Sequence, residues 1–413
     1  VKSTVLTKDR FDMKGIAQAM DELRNLMEEL NQLYPQRSFL LHQIPLTLLS
    51  SMNHLLYGIY GTGKSEILKD LLNSLGVDST DIYRMDFSKQ TTESEVVGAT
   101  DVNALRNGGR LVRNPDGTIR QAKYAELGEL FDAPNLLRLM LSILNERQYR
   151  RGAEVENIPL KSAFASTNIS PEELMKRYPD ADAIVDRFLF QCKIGEWLTE
   201  VDDFRIMFNK FRKGLAPSIN LDTAGFDAAR NLVATATDQL EDEIVEVMIV
   251  IALKVREVWN AHKWRKFSDR AFTQWLMIAE AAAIYNGHYT VTLDDLRWLK
   301  YVACDGTTEQ IKAWDTYIEP LIDKAIADRQ PMDIDDAIMM ALNAAQAQFN
   351  ALPSRPSDSE LVDIRRELGY LIDQVRAMKA VRPESNATIR QFEDTVQKRI
   401  NQLDELFTGG RKS

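Results

Sequence analysis

The sequence predicts an α/β core, a mostly parallel sheet sandwiched by helices, followed by an all-helical region and a C-terminal helical hairpin. Three observations carry this expectation. A glycine-rich loop, Gly58 to Ser65, stands between a short apolar run and a helical pattern. Strand and helix patterns alternate up to about residue 200, which implies a parallel sheet covered on both faces. Beyond that point the strand signals stop and helical periodicity takes over.

In chain order, Ile16, Met20, Leu23, Met27 and Leu30 alternate by four and three, an a/d seam that reads as the docking face of an opening helix. Tyr34-Pro35 ends it. A second apolar helix, Phe39 to Leu49, leads into Leu55-Leu56-Tyr57, a buried strand feeding the glycine loop. A helix over Ser65 to Leu75 and a strand over Ile82 to Phe87 follow. Asn114-Pro115-Asp116-Gly117 is a turn signal, and its flanks, Arg110 to Arg113 and Thr118 to Lys123, are expected to pair as a hairpin. Next come a strand near Tyr124 to Leu127, a helix over Asn135 to Glu146, and strands over Ser162 to Ser166 and Phe188 to Ile194. The helical region is written by Glu241 to Trp264, Ser268 to Asn286, Leu293 to Cys304 and Glu309 to Ala327. In the tail, Leu361, Ile364, Leu368, Leu371, Val375 and Met378 keep a three-four rhythm, resumed after Arg382-Pro383 by Ile389, Phe392, Val396, Leu403 and Leu406.

Bulk properties narrow the function classes. A length of 413 residues allows two or three domains. No apolar run is long enough to cross a bilayer, and Val1 to Arg10 lacks the apolar core of a signal peptide, so a cytoplasmic location is expected. Cys192 and Cys304 are the only cysteines and have no metal-type spacing. His42, His54, His262 and His288 are scattered, which favours packing or surface roles over ligation. A net charge of −10 repels phosphate backbones on average and argues against a nucleic-acid partner.

The loop Gly58-Ile59-Tyr60-Gly61-Thr62-Gly63-Lys64-Ser65 fits G-x-x-x-x-G-K-S between a strand and a helix. Glycines let successive backbone N–H groups turn inward around phosphates, and the helix N-terminus adds its dipole. Lys64 would supply a point charge to the phosphates and Ser65 a ligand to Mg²⁺. The competing explanation, a chance glycine turn, does not account for the strand and helix on either side.

Residues from about 34 to 300, about two thirds of the chain, resemble a MoxR-family AAA+ ATPase, and within it the RavA branch. The resemblance rests on the order of several segments: Leu33-Tyr34-Pro35-Gln36-Arg37-Ser38, Glu93 to Gly98, Ile143 to Arg150, Ser166-Thr167-Asn168, Ile184 to Leu189, and Phe267 to Ala271. It implies an AAA+ core over 34–200 with a helical lid over 201–329, preceded by the amphipathic helix of 1–33 and followed by a helical extension over 330–413. ATP and Mg²⁺ are the implied ligands and a homo-hexamer the implied assembly. By matching position, Asn168 resembles sensor 1, which helps hold the attacking water. Arg187 resembles the arginine finger offered to a neighbouring subunit's nucleotide, a charge worth on the order of 10³–10⁵ in rate where that role is established. Arg270 resembles sensor 2, reaching from the lid to bound nucleotide. The plainer alternatives are an Arg187 paired with Asp186 and an Arg270 on a solvated helix face.

The chain departs from the family at the second nucleotide motif, which elsewhere ends the third strand with Asp-Glu. The stretch Ala125-Glu126-Leu127-Gly128-Glu129 puts Glu129 at the catalytic glutamate and Gly128 where the family has aspartate. Hydrolysis is therefore expected to be impaired, or the nucleotide to be a structural ligand. Glu126 lies two residues back on the same face, about 6.5–7 Å away by strand geometry, too far to substitute. Asp86 falls too soon after the loop to be that aspartate and belongs to the second strand.

The family is linked with von Willebrand factor A-domain proteins, so the resemblance implies remodelling of such a protein partner. Two alternatives stay open. A DNA-associated ring motor draws on Arg106, Arg110, Arg113, Arg120 and Lys123, which make the insert over Thr91 to Lys123 basic, yet no stacking aromatics interleave them. A non-hydrolysing, nucleotide-stabilised scaffold draws on Gly128. A second hairpin is expected around Arg150-Arg151-Gly152. The helical tail departs from the RavA branch, whose extension includes a β-rich module.

Overall fold

The computed structural model describes residues 11–101, 106, 113–151, 154–178, 181–195, 197–236, 240–328, 397–398 and 401. The chain divides into two units, Val1–Ala325 and Ile326–Ser413. The expected helical hairpin over 330–413 lies outside the described residues except for Gln397, Lys398 and Asn401, which are helical.

The first unit runs α1 (Met13–Leu33), α2 (Ser38–Leu49), β1 (His54–Tyr57), α3 (Lys64–Asn73), β2 (Ile82–Asp86), α4 (Glu93–Val97), β3 (Tyr124–Gly128), α5 (Leu137–Glu146), β4 (Gln148–Arg151), β5 (Glu154–Asn157), β6 (Ser162–Thr167), α6 (Pro171–Arg177), α7 (Ala181–Val185) and β7 (Phe190–Lys193). It continues, among the described residues, through helices alone: α8 (Val201–Lys213), α9 (Thr223–Ala236), α10 (Asp242–Ala261), α11 (Asp269–Tyr285), a 3₁₀ helix over Leu293–Leu299, α12 (Lys300–Ala303), α13 (Thr308–Tyr317) and the greater part of α14 (Glu319–Asp328).

The central sheet has the order β2-β3-β6-β1-β7, and every neighbouring pair is parallel. Both faces are covered, so β1 and β6 are buried at every position and read as continuous apolar or small-residue runs rather than alternating ones. Leu55, Leu56 and Phe164 are fully buried there, each contributing about 1.5–3 kcal/mol on burial. The carboxyl ends of β1, β2, β3 and β6 carry the glycine loop, Asp86, Gly128-Glu129 and Asn168. That edge is where ligands bind in open α/β sheets.

Helix α1 starts at Asp12, whose side chain accepts from the Gly15 N–H at 3.0 Å. Its predicted stripe is buried, and the helix packs on α9 and α2. Gly225 in α9 is needed there, because a β-carbon would stand 2.4 Å from the Gly15 carbonyl oxygen. Among the described residues, no helix is long and apolar enough to cross a membrane.

Several expectations are corrected. Arg113 bridges Thr100 in antiparallel fashion rather than pairing across Asp116-Gly117. The segment after that turn folds into further turns because the Ile119 side chain is fully buried and its N–H donates to the Val96 carbonyl at 3.2 Å. The single helix expected over Glu309 to Ala327 is two, α13 and α14, interrupted just before Pro320. The helix expected from Leu293 begins as a 3₁₀ helix under a Thr292–Asp295 capping box. The hairpin at Arg150-Arg151 is present as β4 against β5. Helices α6 and α7 have no counterpart in the sequence reading, whereas α8 and α9 fall within the stretch expected to be helical without being placed there individually.

Candidate functional site

The glycine loop leaves β1 at Tyr57 in the middle of the sheet. Gly58, Gly61 and Gly63 have φ of +136°, +73° and +77°, conformations that favour glycine. At Gly58 a β-carbon would also stand 2.3 Å from the Ile194 carbonyl oxygen. Arg37, almost fully buried, braces the loop by donating to the Thr62 carbonyl at 3.0 Å. Thr62 Oγ1 donates to the Ile59 carbonyl at 3.0 Å, and Trp197 Nε1 to the Tyr60 carbonyl at 3.2 Å.

Helix α3 begins at Lys64, so the N–H groups of its first turn face the loop. The Lys64 ammonium donates to the Gly58 and Ile59 carbonyls, both at 2.8 Å, and to Asn168 Oδ1 at 3.0 Å. Burial lowers its pKa, while Glu129 opposes that shift. The Ser65 side chain is exposed at the same helix start. Free N–H groups, a cationic side chain and an exposed hydroxyl converge there, a donor set that fits nucleotide phosphates with Mg²⁺.

Glu129 follows β3 with φ +49°, a left-handed conformation that costs a non-glycine residue about 1–3 kcal/mol and tends to occur at functional sites. Its N–H donates to the Ser166 carbonyl at 2.8 Å, and its carboxylate accepts from Asn168 Nδ2 at 2.6 Å. Burial, reinforced by Asp132, raises the Glu129 carboxyl above its ordinary range against the opposing pull of Asn168 and Lys64. Lys64, Asn168 and Glu129 thus form one hydrogen-bonded chain across three elements. Glu126 is held elsewhere, accepting from Arg84 Nε at 3.2 Å. Asp86 does lie on β2, and it stands directly across from Gly128.

Arg187 and Arg270 sit at the opposite end of the strands. Asn53, which precedes β1, donates to the Arg187 carbonyl at 3.0 Å. Arg187 Nη1 and Arg270 Nη2 both lie 2.8 Å from Asp186 Oδ2, and Arg270 also donates to Asn145. Both arginines line a cavity of about 330 Å³ with Asn53, Asn145, Arg147 and Gln274. Lys64, Glu129 and Asn168 are therefore brought together, whereas Arg270 joins Arg187 and does not approach the glycine loop of its own chain. The shared Asp186 fits the ion-pair alternative for Arg187, while Arg270 is more than a solvated helix-face residue.

Much of the charge of the basic insert is paired with carboxylates of the same chain. Arg113 pairs with Glu93 at 3.0 Å, Lys123 with Asp81 at 2.9 Å, and the buried Arg120 with Glu156. Arg106 is exposed, and Arg110 lies outside the described residues. This removes most of the charge on which a DNA-associated reading depends. Sequence reasoning missed the bracing by Arg37 and Trp197. Arg37 already stood in the Leu33 to Ser38 segment, but only its burial reveals what it holds.

The parallel sheet with its glycine loop after β1 is the α/β architecture of an AAA+ core. Residues 21–205 match the model of the MoxR domain in the MoxR–vWA–β-propeller ternary systems, so this part of the chain is similar to that domain. An uncharacterized protein of Methanocaldococcus jannaschii is 24% identical over 318 residues, covering 75% of this chain and 79% of its own. A second from the same organism is 24% identical over 282 residues, covering 68% and 70%. Among solved structures, a candidate ATPase from Cytophaga hutchinsonii has the same fold, with a TM-score of 0.52 and 15% identity over 76% of this chain and 96% of its own.

Proposed function

We propose that this protein is a ring-forming MoxR-type ATPase, nearest the RavA branch, that binds ATP with Mg²⁺ and remodels or activates a protein partner in the cytoplasm. The observation that carries this reading is the hydrogen-bonded chain from Lys64 through Asn168 to Glu129 beside the glycine loop. In it, backbone N–H groups of Gly61 to Ser65 and the Lys64 ammonium hold the phosphates. Glu129 accepts a proton from the attacking water while Asn168 fixes its carboxylate. Ser65 would hold Mg²⁺, which would supply neutralisation of phosphate charge.

Arg187 and Arg270 are assigned to a neighbouring subunit's nucleotide, because both lie at the edge of the sheet away from their own loop. That division of labour supports a closed homo-oligomer, a hexamer by family resemblance. A partner bearing a von Willebrand A domain is the reading supported by the ternary systems in which the matching MoxR domain occurs. One observation favours a second reading, a nucleotide-stabilised scaffold with impaired hydrolysis: β3 carries Gly128 in place of a carboxylate.

Fluorescent N-methylanthraniloyl-ATP titrated into the full chain tests the core of this proposal. Saturable binding is expected, with Lys64→Ala abolishing it. Equal binding by both proteins would remove the loop from the mechanism. Light scattering with and without nucleotide tests the ring, and phosphate release separates motor from scaffold.

A further inference from the structure

We propose that Asp86, at the end of the neighbouring strand, supplies the Mg²⁺-supporting carboxylate that Gly128 lacks, and that residue 128 is glycine to make room for it. The inference rests on the reading of this site as one for Mg²⁺ and ATP.

Strands β2 and β3 are parallel, with Asp86 opposite Gly128 in register. The pairing continues past Asp86, since the Phe87 N–H donates to the Gly128 carbonyl at 2.7 Å. A β-carbon built on Gly128 would stand 2.0 Å from Asp86 Oδ1 and 3.1 Å from Asp86 Cγ. An aspartate at position 128 and the observed Asp86 side chain would thus compete for one volume. Asp86 has placed its carboxylate where the root of the missing side chain would be.

Gly128 is not required by its backbone. It is an ordinary strand residue without positive φ, unlike the glycines of the loop. What a side chain there would meet first is the Asp86 carboxylate, which would have to turn aside to admit it. Among the described residues, Asp86 has no hydrogen-bond or ion-pair partner and its side chain is exposed, so no internal contact spends its charge. Glu126, the other acid close by on β3, is committed to Arg84. Asp86 is also near enough to Glu129 to help raise its carboxyl, which puts both acids in one electrostatic neighbourhood. The lateral transfer keeps the chemistry of the usual Asp-Glu pair: one carboxylate for the hydrated metal, and the next residue of β3 for the water.

The test measures N-methylanthraniloyl-ATP affinity with Mg²⁺ and with chelator, in wild type, Asp86→Asn, and the exchange of Asp86→Gly with Gly128→Asp. Wild type should bind more tightly with Mg²⁺. Asp86→Asn should lose about tenfold or more of the Mg²⁺-dependent gain, as outer-shell partners of metals do, while chelator-treated affinity holds. The exchange should restore the gain by returning one carboxylate to the shared volume. A Mg²⁺ gain that persists in Asp86→Asn, is absent in wild type, or is not restored by the exchange overturns the assignment of Asp86. No nucleotide binding by wild type overturns the nucleotide reading itself, and this inference with it.

Discussion

Asn168 donates a 2.6 Å hydrogen bond to the Glu129 carboxylate. Its carbonyl oxygen accepts from Lys64, so a single amide orients both the candidate base and the phosphate-binding cation. Glu129→Gln keeps the shape of the site and removes the base. Phosphate release should fall about 10²–10⁴-fold while N-methylanthraniloyl-ATP affinity stays near wild type. Asn168→Ala should lower turnover and also loosen nucleotide binding, because Lys64 loses a partner. Near-normal turnover in Glu129→Gln would sink the assignment.

Glu129 also sets a pH dependence. Its carboxyl is raised, chiefly by burial, so it keeps its proton to a higher pH than an ordinary glutamate. The base form is lost as pH falls, and the acid limb of kcat/KM, which reports the nucleotide-free protein, should lie above the ordinary value of about 4.3 for a free glutamate. An acid limb at that ordinary value would show that Glu129 is not the group being titrated.

Arg187 and Arg270 share Asp186 at the sheet edge away from their own loop. If they serve a neighbour, Arg187→Ala and Lys64→Ala subunits complement one another when mixed. Each inactive protein should regain measurable phosphate release in mixed rings, since some boundaries then join an intact loop to an intact arginine. Mixtures no more active than either variant would return Arg187 to a purely structural ion pair with Asp186.

The sequence made the loop, its flanking strand and helix, and the absence at 128 legible, because each is a matter of local residue identity. What it could not display was the neighbour of Gly128. The separation between Asp86 and Gly128 is bridged by β2–β3 pairing, and strand register is a tertiary outcome rather than a local pattern. Spacing from the loop put Asp86 on the second strand, and the structure agrees, but spacing could not show that this strand sets Asp86 beside Gly128. The Asp116-Gly117 turn failed in the opposite way: a strong local hairpin signal lost to burial of Ile119 against the core that includes Val96 and Val97. Helices α6 and α7 are too short to show a helical period.

Glycines of the loop should differ in tolerance. Gly61 combines positive φ with open space, so Gly61→Ala should cost only the left-handed penalty of about 1–2 kcal/mol. Gly58→Ala adds the encounter with the Ile194 carbonyl and should displace the loop from β7's end. A thermal melt should show the larger loss for Gly58→Ala, with nucleotide binding lost as well. Equal melts for the two variants would mean that the Ile194 approach does not constrain the loop.

His54 gives the first unit an acid sensitivity separate from the site. It is fully buried at the start of β1, with ring centroids 5.9 Å from Phe164 and 5.8 Å from Phe190. Nδ1 lies 3.2 Å from Thr47 Oγ1, and Nε2 has no hydrogen-bond partner among the described residues. Burial pushes its pKa down to about 3 from an ordinary 6.5. The unfolded chain takes up a proton below about 6.5 that the folded chain refuses, so stability falls as pH drops and does not change above that value. Between about pH 7.5 and about pH 5.5 this one group should remove about 1.4 kcal/mol from the unfolding free energy. His54→Leu should abolish that share of the slope in urea titrations of the full chain. A variant with the wild-type slope would assign the acid sensitivity to other groups.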